Sequence, residues 1–347
     1  MFDDLTFARF TFTIRAETRM PLPAYKGGTL RGGFGYTLKR IVCAHRNAHC
    51  SDCILSKQCV YGYIFDTSPP LDSDILEKFS DVPRPFIIEP PLDGKKDYNP
   101  GDEMSFGLVL IGRAIELLPY FILSFENLGE RGFGKERGRF SLQKVESGTE
   151  EVYRGESHTI MGEPRVMRAS DLRPDPDMDV ERVTLKFLTP VRMKHTGRLT
   201  DSPEFHILIS TLFRRATSLA YFHCGISSDA DPKDVVSTAM GVNLEEDDTR
   251  WYDWRRYSSR WERVMTLGGL LGRATYTGHL KNFIPLLLLG EYIHVGKCTS
   301  FGLGKYSFAP VDLHTERRGH GQPESFFDEL WHMDSGAAVE SASRSRP

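Results

Sequence analysis

The sequence predicts an α+β fold made of two tandem ferredoxin-like βαββαβ domains, and two observations lead to this prediction. The first is that the order strand, helix, strand, strand, helix, strand is found once in each half of the chain. The second is an internal repeat. The glycine-rich segments 128–142 and 298–308 each follow the second helix of their half, contain G-[FL]-G-K and run into a strand. Domains are therefore predicted at 1–150 and 175–312, followed by a polar tail at 313–347.

In the first half, the spacing of apolar residues predicts each element. Strands are predicted at 7–17, 84–91, 102–112 and 138–145, and helices at 29–43 and 114–129. Gly129 is the expected C-cap of the second helix, because glycine readily adopts the left-handed conformation that ends helices. Pro119 falls in the second turn of that predicted helix, where a small kink is expected.

The second half repeats this order with longer elements. Strands are predicted at 181–193 and 305–313, and helices at 203–225 and 280–296. Gly225 and Gly296 are the glycines expected to end the two helices. The segments RWYDWRRYS and WERVMTLGGLLGRATYTG have the composition of paired strands. They follow an acidic insertion at 227–250.

Composition places the chain among ordinary globular proteins. Its 347 residues suit about two domains, and 40% are hydrophobic and 26% charged. No apolar run reaches the roughly 18 residues that span a bilayer, and the first residues lack a secretory signal. A cytoplasmic protein without a membrane partner is therefore expected. The net charge of −3 is uneven: 227–250 carry −5 and 313–347 carry −2, which leaves +4 for the remainder.

Four of the six cysteines are concentrated in one loop at 43–59. These are Cys43, Cys50, Cys53 and Cys59, separated by six, two and five residues. Disulfides are disfavoured in a reducing compartment, and a redox C-x-x-C pair would leave two cysteines unexplained. Four thiolates suit a tetrahedral metal, so structural zinc is predicted, with a [4Fe–4S] cluster as the alternative. Cys224 and Cys298 are expected to be free thiols.

The glycine-rich segments have the composition of a polyanion-binding loop. Glycine lets a backbone approach another molecule closely, and residues 131–144 carry a local charge of +4. Neither segment has the arrangement of a P-loop or of a dinucleotide-binding turn. The alternative is a tight helix-to-strand connection with solvated charges. Because the pattern occurs twice, binding of a nucleic-acid phosphate backbone is the preferred interpretation.

Several segments together resemble one protein family. They are LRGGFGYTLKRIVC, LIGRAIELLPYFILSFENLGERGFGKERGRF, TPVRMKHTG, FRRATSLAYFHCG, LGGLLGRATYTG and LLLLGEYIHVGKCTSFGLGKY, and they span roughly residues 5–312. In this order they are similar to the CRISPR-associated repeat-RNA-processing endoribonucleases of the RAMP superfamily. The resemblance implies two ferredoxin-like domains that bind precursor CRISPR RNA. It also implies one cut per repeat without a catalytic metal. The ribose 2′-OH would be the nucleophile, leaving a 2′,3′-cyclic phosphate.

Such a reaction requires a base, an acid and a cation near the phosphate. The resemblance implies a histidine near the end of the first helix, and His45 lies there, with Tyr36 and Lys39 or Arg40 on the same helix. The alternative for His45 is a place beside or within the metal loop, where His49 also lies.

His294 is a second candidate base, because it precedes the cation Lys297 by three residues at the second glycine-rich segment. Its alternative role is an interaction with the end of its own helix. His206 and His223 are expected to be core or surface residues of an apolar helix.

The cations expected to bind RNA come from both halves of the chain. They are Arg31, Arg40, Arg131, Lys135, Arg137, Arg139, Arg192, Lys194, Arg273 and Lys305. Two alternatives to the nuclease remain. One is a non-catalytic RNA-binding subunit of a CRISPR effector complex, whose other subunits would be partners. The other is a zinc-containing structural protein unrelated to RNA, which leaves the two matched loops unexplained.

Overall fold

The structure is a computed structural model, and it describes residues 1–45, 49–65, 82–172, 180–258 and 263–310. The strands of the first half are β1 (Thr6–Ala16), β2 (Met20–Pro21), β3 (Phe86–Glu89), β4 (Asp97–Tyr98), β5 (Glu103–Ile111), β6 (Phe140–Ser147), β7 (Glu150–Arg154), β8 (Thr159–Ile160) and β9 (Val166–Arg168). Its helices are α1 (Gly27–Val42), α2 (Val60–Phe65) and α3 (Leu118–Arg131).

The second half contains six strands and three helices within the described ranges. The strands are β10 (Arg182–Val191), β11 (Lys194–His195), β12 (Arg198–Leu199), β13 (Asn243–Ser258), β14 (Arg263–Thr277) and β15 (Tyr306–Pro310). The helices are α4 (Phe205–Leu219), α5 (Pro232–Ala239) and α6 (Ile284–Ile293).

The main sheets of the two halves have the same strand order. The first contains β3-β5-β1-β6, which continues into β7 and β8, and the second contains β13-β14-β10-β15. In each, the first strand of the unit lies between the third and the fourth and pairs antiparallel with both. This is the ferredoxin-like order, so the predicted fold class is confirmed. The first sheet extends beyond residue 150, because β9 also pairs with β1.

Strand β1 connects the cores of the two halves. Phe10 and Phe12 point into the first core, beneath α1 and α3. Phe7 belongs to the second core, and its ring centroid lies 4.7 Å from that of Tyr292. Side chains of a strand alternate between its two faces, so one sheet serves both cores. The two halves are therefore packed against each other through apolar side chains.

The termini of helix α3 differ from the sequence prediction. A 3-10 turn at Gly112–Leu117 precedes it, and the α-helix begins at Leu118. Pro119 therefore lies in the first turn, where its missing N–H is not needed. The C-cap is Gly132, with a φ of 76°. Gly129 has a different role, because a side chain there would overlap the Phe140 carbonyl oxygen.

Helix α6 ends differently from the sequence prediction, and the structure also describes the acidic insertion. Helix α6 is capped by His294, with a φ of 58°, and not by Gly296. Much of the acidic insertion is regular structure: Asp231 caps α5 by accepting a hydrogen bond from the Lys233 backbone at 2.8 Å. The acidic residues that follow belong to β13, where Arg182 binds Glu245 at 2.6 Å.

Candidate functional site

A cationic cleft of about 620 Å³ lies between the two halves. Its charged lining residues are Arg31, Arg84, Arg192, Lys194, Arg214, Arg215 and Lys297. No carboxylate occurs among the described residues that line it. A groove with cations and no acids attracts a polyanion, because every charged group contributes a potential of the same sign.

Helix α1 and the second glycine-rich segment form one wall of this cleft. The Nε of Arg31 donates a hydrogen bond to Ser300 Oγ at 2.9 Å, and its guanidinium carbon lies 4.3 Å from the Phe301 ring centroid. The Tyr25 hydroxyl donates to the Phe301 carbonyl oxygen at 2.8 Å. These contacts fix the position of Arg31 relative to the second half of the chain.

Helix α4 contributes two adjacent arginines with different environments. Arg214 is exposed, whereas Arg215 is buried and donates from Nε to the Ile293 carbonyl oxygen at 2.8 Å. Burial lowers the pKa of Arg215 to about 9. Arg192, another lining residue of the cleft, donates from Nη1 to the Gly268 carbonyl oxygen.

His294 lies in a buried polar cluster between the two halves. It is 0% exposed, with Nδ1 3.1 Å from the Leu303 carbonyl oxygen and Nε2 3.1 Å from Glu89 Oε1. Burial lowers the pKa of His294. Burial alone would raise the pKa of Glu89, but the His294 hydrogen bond and the charges of Lys305 and Arg9 outweigh it and lower that pKa.

This position corrects the expectations for His294 and Lys305. A base that abstracts a proton must come within hydrogen-bonding distance of the substrate, and buried His294 does not offer a surface to RNA. Lys305 Nζ binds Glu89 Oε1 at 2.9 Å, so its charge is already paired. We therefore assign these two side chains to the contact between the halves.

Residues 302–304 of the second glycine-rich segment are also buried between the halves, whereas residues 298–301 line the cleft. A Cβ at Gly302 would lie 2.5 Å from Pro90 Cδ and 2.6 Å from the Ile88 carbonyl oxygen. The glycine therefore permits close contact with the first half of the chain, and not with a ligand. The expectation of two equivalent exposed loops is wrong for this one.

Comparison with known proteins shows which family the chain is similar to. A family model described as the CRISPR-associated endoribonuclease Cas6 matches residues 185–306. The chain is a Cas6-like protein. A second model, described as an N-terminal domain, matches residues 5–167. The resemblance inferred from the sequence is thereby confirmed.

One further protein and two solved structures are similar to this Cas6-like protein at low sequence identity. An uncharacterized protein of Archaeoglobus fulgidus is 26% identical over 293 residues, which cover 82% of this chain and 91% of that protein. A product complex of Thermus thermophilus Cas6 matches with a TM-score of 0.55 and 16% identity, covering 87% of this chain and 100% of the other. A partial Cas6-RT-Cas1--Cas2 complex matches with a TM-score of 0.54 and 12% identity over 99% of this chain and 54% of the other.

The first glycine-rich segment of the Cas6-like protein is exposed at its cations. Arg131, Lys135, Arg137 and Arg139 all have exposed side chains, while Phe133 between them is buried against Phe140. None of these four cations is among the described residues that line the cleft. Their contact with RNA phosphates remains a prediction.

The candidate catalytic residues of α1 lie outside the cleft. His45 is exposed just beyond the helix, and Tyr36 is 60% exposed and accepts a hydrogen bond from Arg40 at 3.3 Å. Neither His45 nor Tyr36 is among the described residues that line the cleft, whereas Lys297 is. The structure thus separates the predicted base from one of the predicted cations.

Two further predicted RNA contacts lie at different places. Lys194 is exposed in the short β11–β12 ribbon and lines the cleft. Arg273 is exposed on β14, in register with Asp248 of β13. Lys186 of β10 is in register with Arg273 on its other side, so an acidic and a basic neighbour have opposite effects on the attraction of a phosphate to this place.

The four clustered cysteines follow α1 and are partly buried. Within the described residues, no three His, Cys, Asp or Glu side chains are close enough together to hold a metal ion. Residues 46–48 of this loop lie outside the described ranges. Zinc binding by these cysteines therefore remains a prediction from spacing, and no chemical step is assigned to a metal here.

Sequence reasoning missed three cations of the cleft, Arg84, Arg214 and Arg215. The two adjacent arginines within an apolar helix could have indicated a binding site. Burying a guanidinium is costly without a partner, so a buried arginine suggests that a partner is available. His223 is buried, as expected for a core residue: its Nε2 lies 2.7 Å from the Pro83 carbonyl oxygen and its Nδ1 3.2 Å from the Tyr63 hydroxyl.

Among the described helices, none is both long and apolar enough to cross a bilayer.

Proposed function

We propose that this Cas6-like chain binds precursor CRISPR RNA along the cleft between its halves and cuts it once in each repeat. The cleft carries the proposal, because its charged lining residues are all cationic in the part of the chain that the structure describes. A ferredoxin-like fold with a basic groove suits recognition of RNA through its backbone and its unstacked bases. The match of residues 185–306 to an endoribonuclease family supports the assignment.

The proposed cleavage uses groups of the protein and the RNA alone. The ribose 2′-oxygen gives its proton to a base and forms a bond to phosphorus. The bond from phosphorus to the 5′-oxygen breaks, and that oxygen takes a proton from an acid. The products are a 2′,3′-cyclic phosphate and a 5′-hydroxyl. A cation beside the phosphate stabilises the charge that develops on its oxygens.

We assign the base or the acid to His45, with Tyr36 of α1 as the second candidate group and Lys297 as a cation near the RNA. Support comes from the course of α1, which begins at the cleft and ends beside His45. From Arg31 to Val42 the helix rises by about 16 Å, at about 1.5 Å per residue. An RNA strand leaving the cleft along α1 would therefore reach His45.

The test is incubation with an end-labelled repeat RNA in EDTA. The proposal predicts a single cut that leaves a cyclic phosphate. A matched RNA with one 2′-deoxy nucleotide 5′ to the cut should bind equally well and stay intact. Cleavage of that RNA would contradict attack by the 2′-OH, and cleavage only with added metal would contradict a reaction that uses groups of the protein and the RNA alone.

A non-catalytic RNA-binding subunit is the second candidate function. It is favoured by one observation: no histidine occurs among the described residues that line the cleft. The chain is similar in fold to a chain of a Cas6-RT-Cas1--Cas2 complex. This similarity supports the proposal that it associates with other CRISPR proteins. Tight binding of the repeat RNA without a cut would favour this function over the nuclease.

A further inference from the structure

We infer that Arg215 and Arg192 form a preformed buried site for one phosphate group of the bound RNA. The inference rests on the proposed function, and it specifies which part of the cleft holds a phosphate by direct hydrogen bonds. Cations elsewhere in the cleft would act mainly through charge.

Arg215 supplies the first and strongest observation. Its side chain is only 8% exposed, and it lines the cleft. One edge of the guanidinium is fixed, because Nε donates to the Ile293 carbonyl oxygen at the end of α6. Its Nη2 has no hydrogen-bond partner among the described residues. The charged side chain of Arg215 therefore has a buried N–H donor that is available to a ligand.

Arg192 repeats this arrangement from the end of β10. Its Nη1 donates to the Gly268 carbonyl oxygen of β14, which fixes one end of the guanidinium. Its Nε is buried and, within the described part of the chain, unpartnered. Both arginines are therefore held by backbone carbonyls and retain an unused buried N–H group in the same cleft.

Physical chemistry indicates what such a pair would bind. A buried cation without a counter-ion is costly, and a buried unpaired donor adds to that cost. An anion that accepts hydrogen bonds from both guanidinium groups supplies the missing counter-ion and also the missing acceptors. Guanidinium groups match the oxygens of phosphate in geometry, and they have donors only. The bound group is therefore a phosphate of the RNA backbone, with free phosphate as the other source of the same chemistry.

The neighbouring Arg214 offers a matched control. It lies one residue away on α4 and lines the same cleft, but its side chain is exposed. Lysine keeps the charge at either position and removes the planar fork of donors. We expect Arg215→Lys to weaken repeat-RNA affinity about 10-fold or more, since hydrogen bonds to a charged group are lost. Arg214→Lys should change the affinity less than about 3-fold, because an exposed cation acts through its charge.

Inorganic phosphate is the second probe, and it needs no RNA. At constant ionic strength, replacing chloride by phosphate should raise the melting temperature of the full chain and of Arg214→Lys. Arg215→Lys should show a clearly smaller increase, limited to the general stabilising effect that phosphate has on any folded protein. Its melting curve in chloride reports whether the variant folds, and Arg192→Lys provides a second variant if it does not.

The outcomes separate the site from the function. Equal RNA affinities for the two lysine variants, or equal phosphate-dependent melting shifts, would overturn the inference. Phosphate stabilisation with unchanged RNA affinity in Arg215→Lys would mean that the site takes a free anion, which overturns the RNA part. If the unmodified protein bound no repeat RNA, the proposed function would fail, while the melting shifts would still test the phosphate site.

Discussion

Gly27→Ala should destabilise the protein by forcing apart the two halves at the cleft wall. Gly27 begins α1, and a Cβ there would overlap the Phe301 carbonyl oxygen and lie 3.0 Å from Tyr25 Cε1. The obstructing atom belongs to a backbone, so no side-chain rotation relieves the overlap. The segment around Phe301 must therefore move away from α1.

The expected magnitude follows from the contacts that such a movement breaks. The hydrogen bond from Tyr25 to Phe301 contributes about 1 kcal/mol, and the packing of Arg31 on the Phe301 ring contributes roughly 0.5–1 kcal/mol. Residual overpacking adds about 1 kcal/mol or more. We therefore expect the free energy of unfolding to fall by about 3 kcal/mol.

Gly32→Ala on the same helix is the control. Gly32 is exposed, and a Cβ there would meet no atom within 4 Å. The change should stabilise the protein by up to about 1 kcal/mol through helix propensity alone. Urea unfolding followed by tryptophan fluorescence measures both variants, with Trp254 near the site, its ring centroid 4.8 Å from that of Tyr25. A Gly27→Ala variant as stable as the unmodified protein would refute the close contact between α1 and Phe301.

Three further predictions concern the histidines and the cysteine loop. His45→Ala should slow cleavage of the repeat RNA about 100-fold or more with unchanged affinity, whereas His49→Ala should not; equal rates would remove His45 from the mechanism. Burial lowers the pKa of His223 to about 4, so the neutral form stabilises the fold. That stability is complete above the unfolded pKa of about 6.5, and about 3 kcal/mol is lost as the pH falls from 6.5 to 4. Unfolding measured across this window should show less dependence on pH in His223→Gln; an unchanged dependence would contradict the assignment. Protein purified without oxygen should contain about one zinc per chain and lose it in Cys53→Ser, and metal analysis that finds neither zinc nor iron would rule out the site.

Local sequence patterns predicted the elements and their order, but not how the loops are used. The two glycine-rich segments share G-[FL]-G-K, yet one exposes its cations and the other is buried against the first half. A glycine permits close approach by a ligand or by another part of the chain. The residues around it in the sequence do not tell which of the two approaches it. The same holds for His294, whose neighbours in sequence give no sign of Glu89, 205 residues away.

The sequence by itself determined the ferredoxin-like order of both halves, because hydrophobic periodicity is a property of contiguous residues, and its local motifs carried the resemblance to the CRISPR-associated endoribonucleases. Tertiary structure alone decided where the charges meet. Arg31, Arg192 and Arg215 come from three separate elements, and they line one cleft only because β1 presents opposite faces to two cores. That packing also buries Arg215 and leaves Arg214 at the surface.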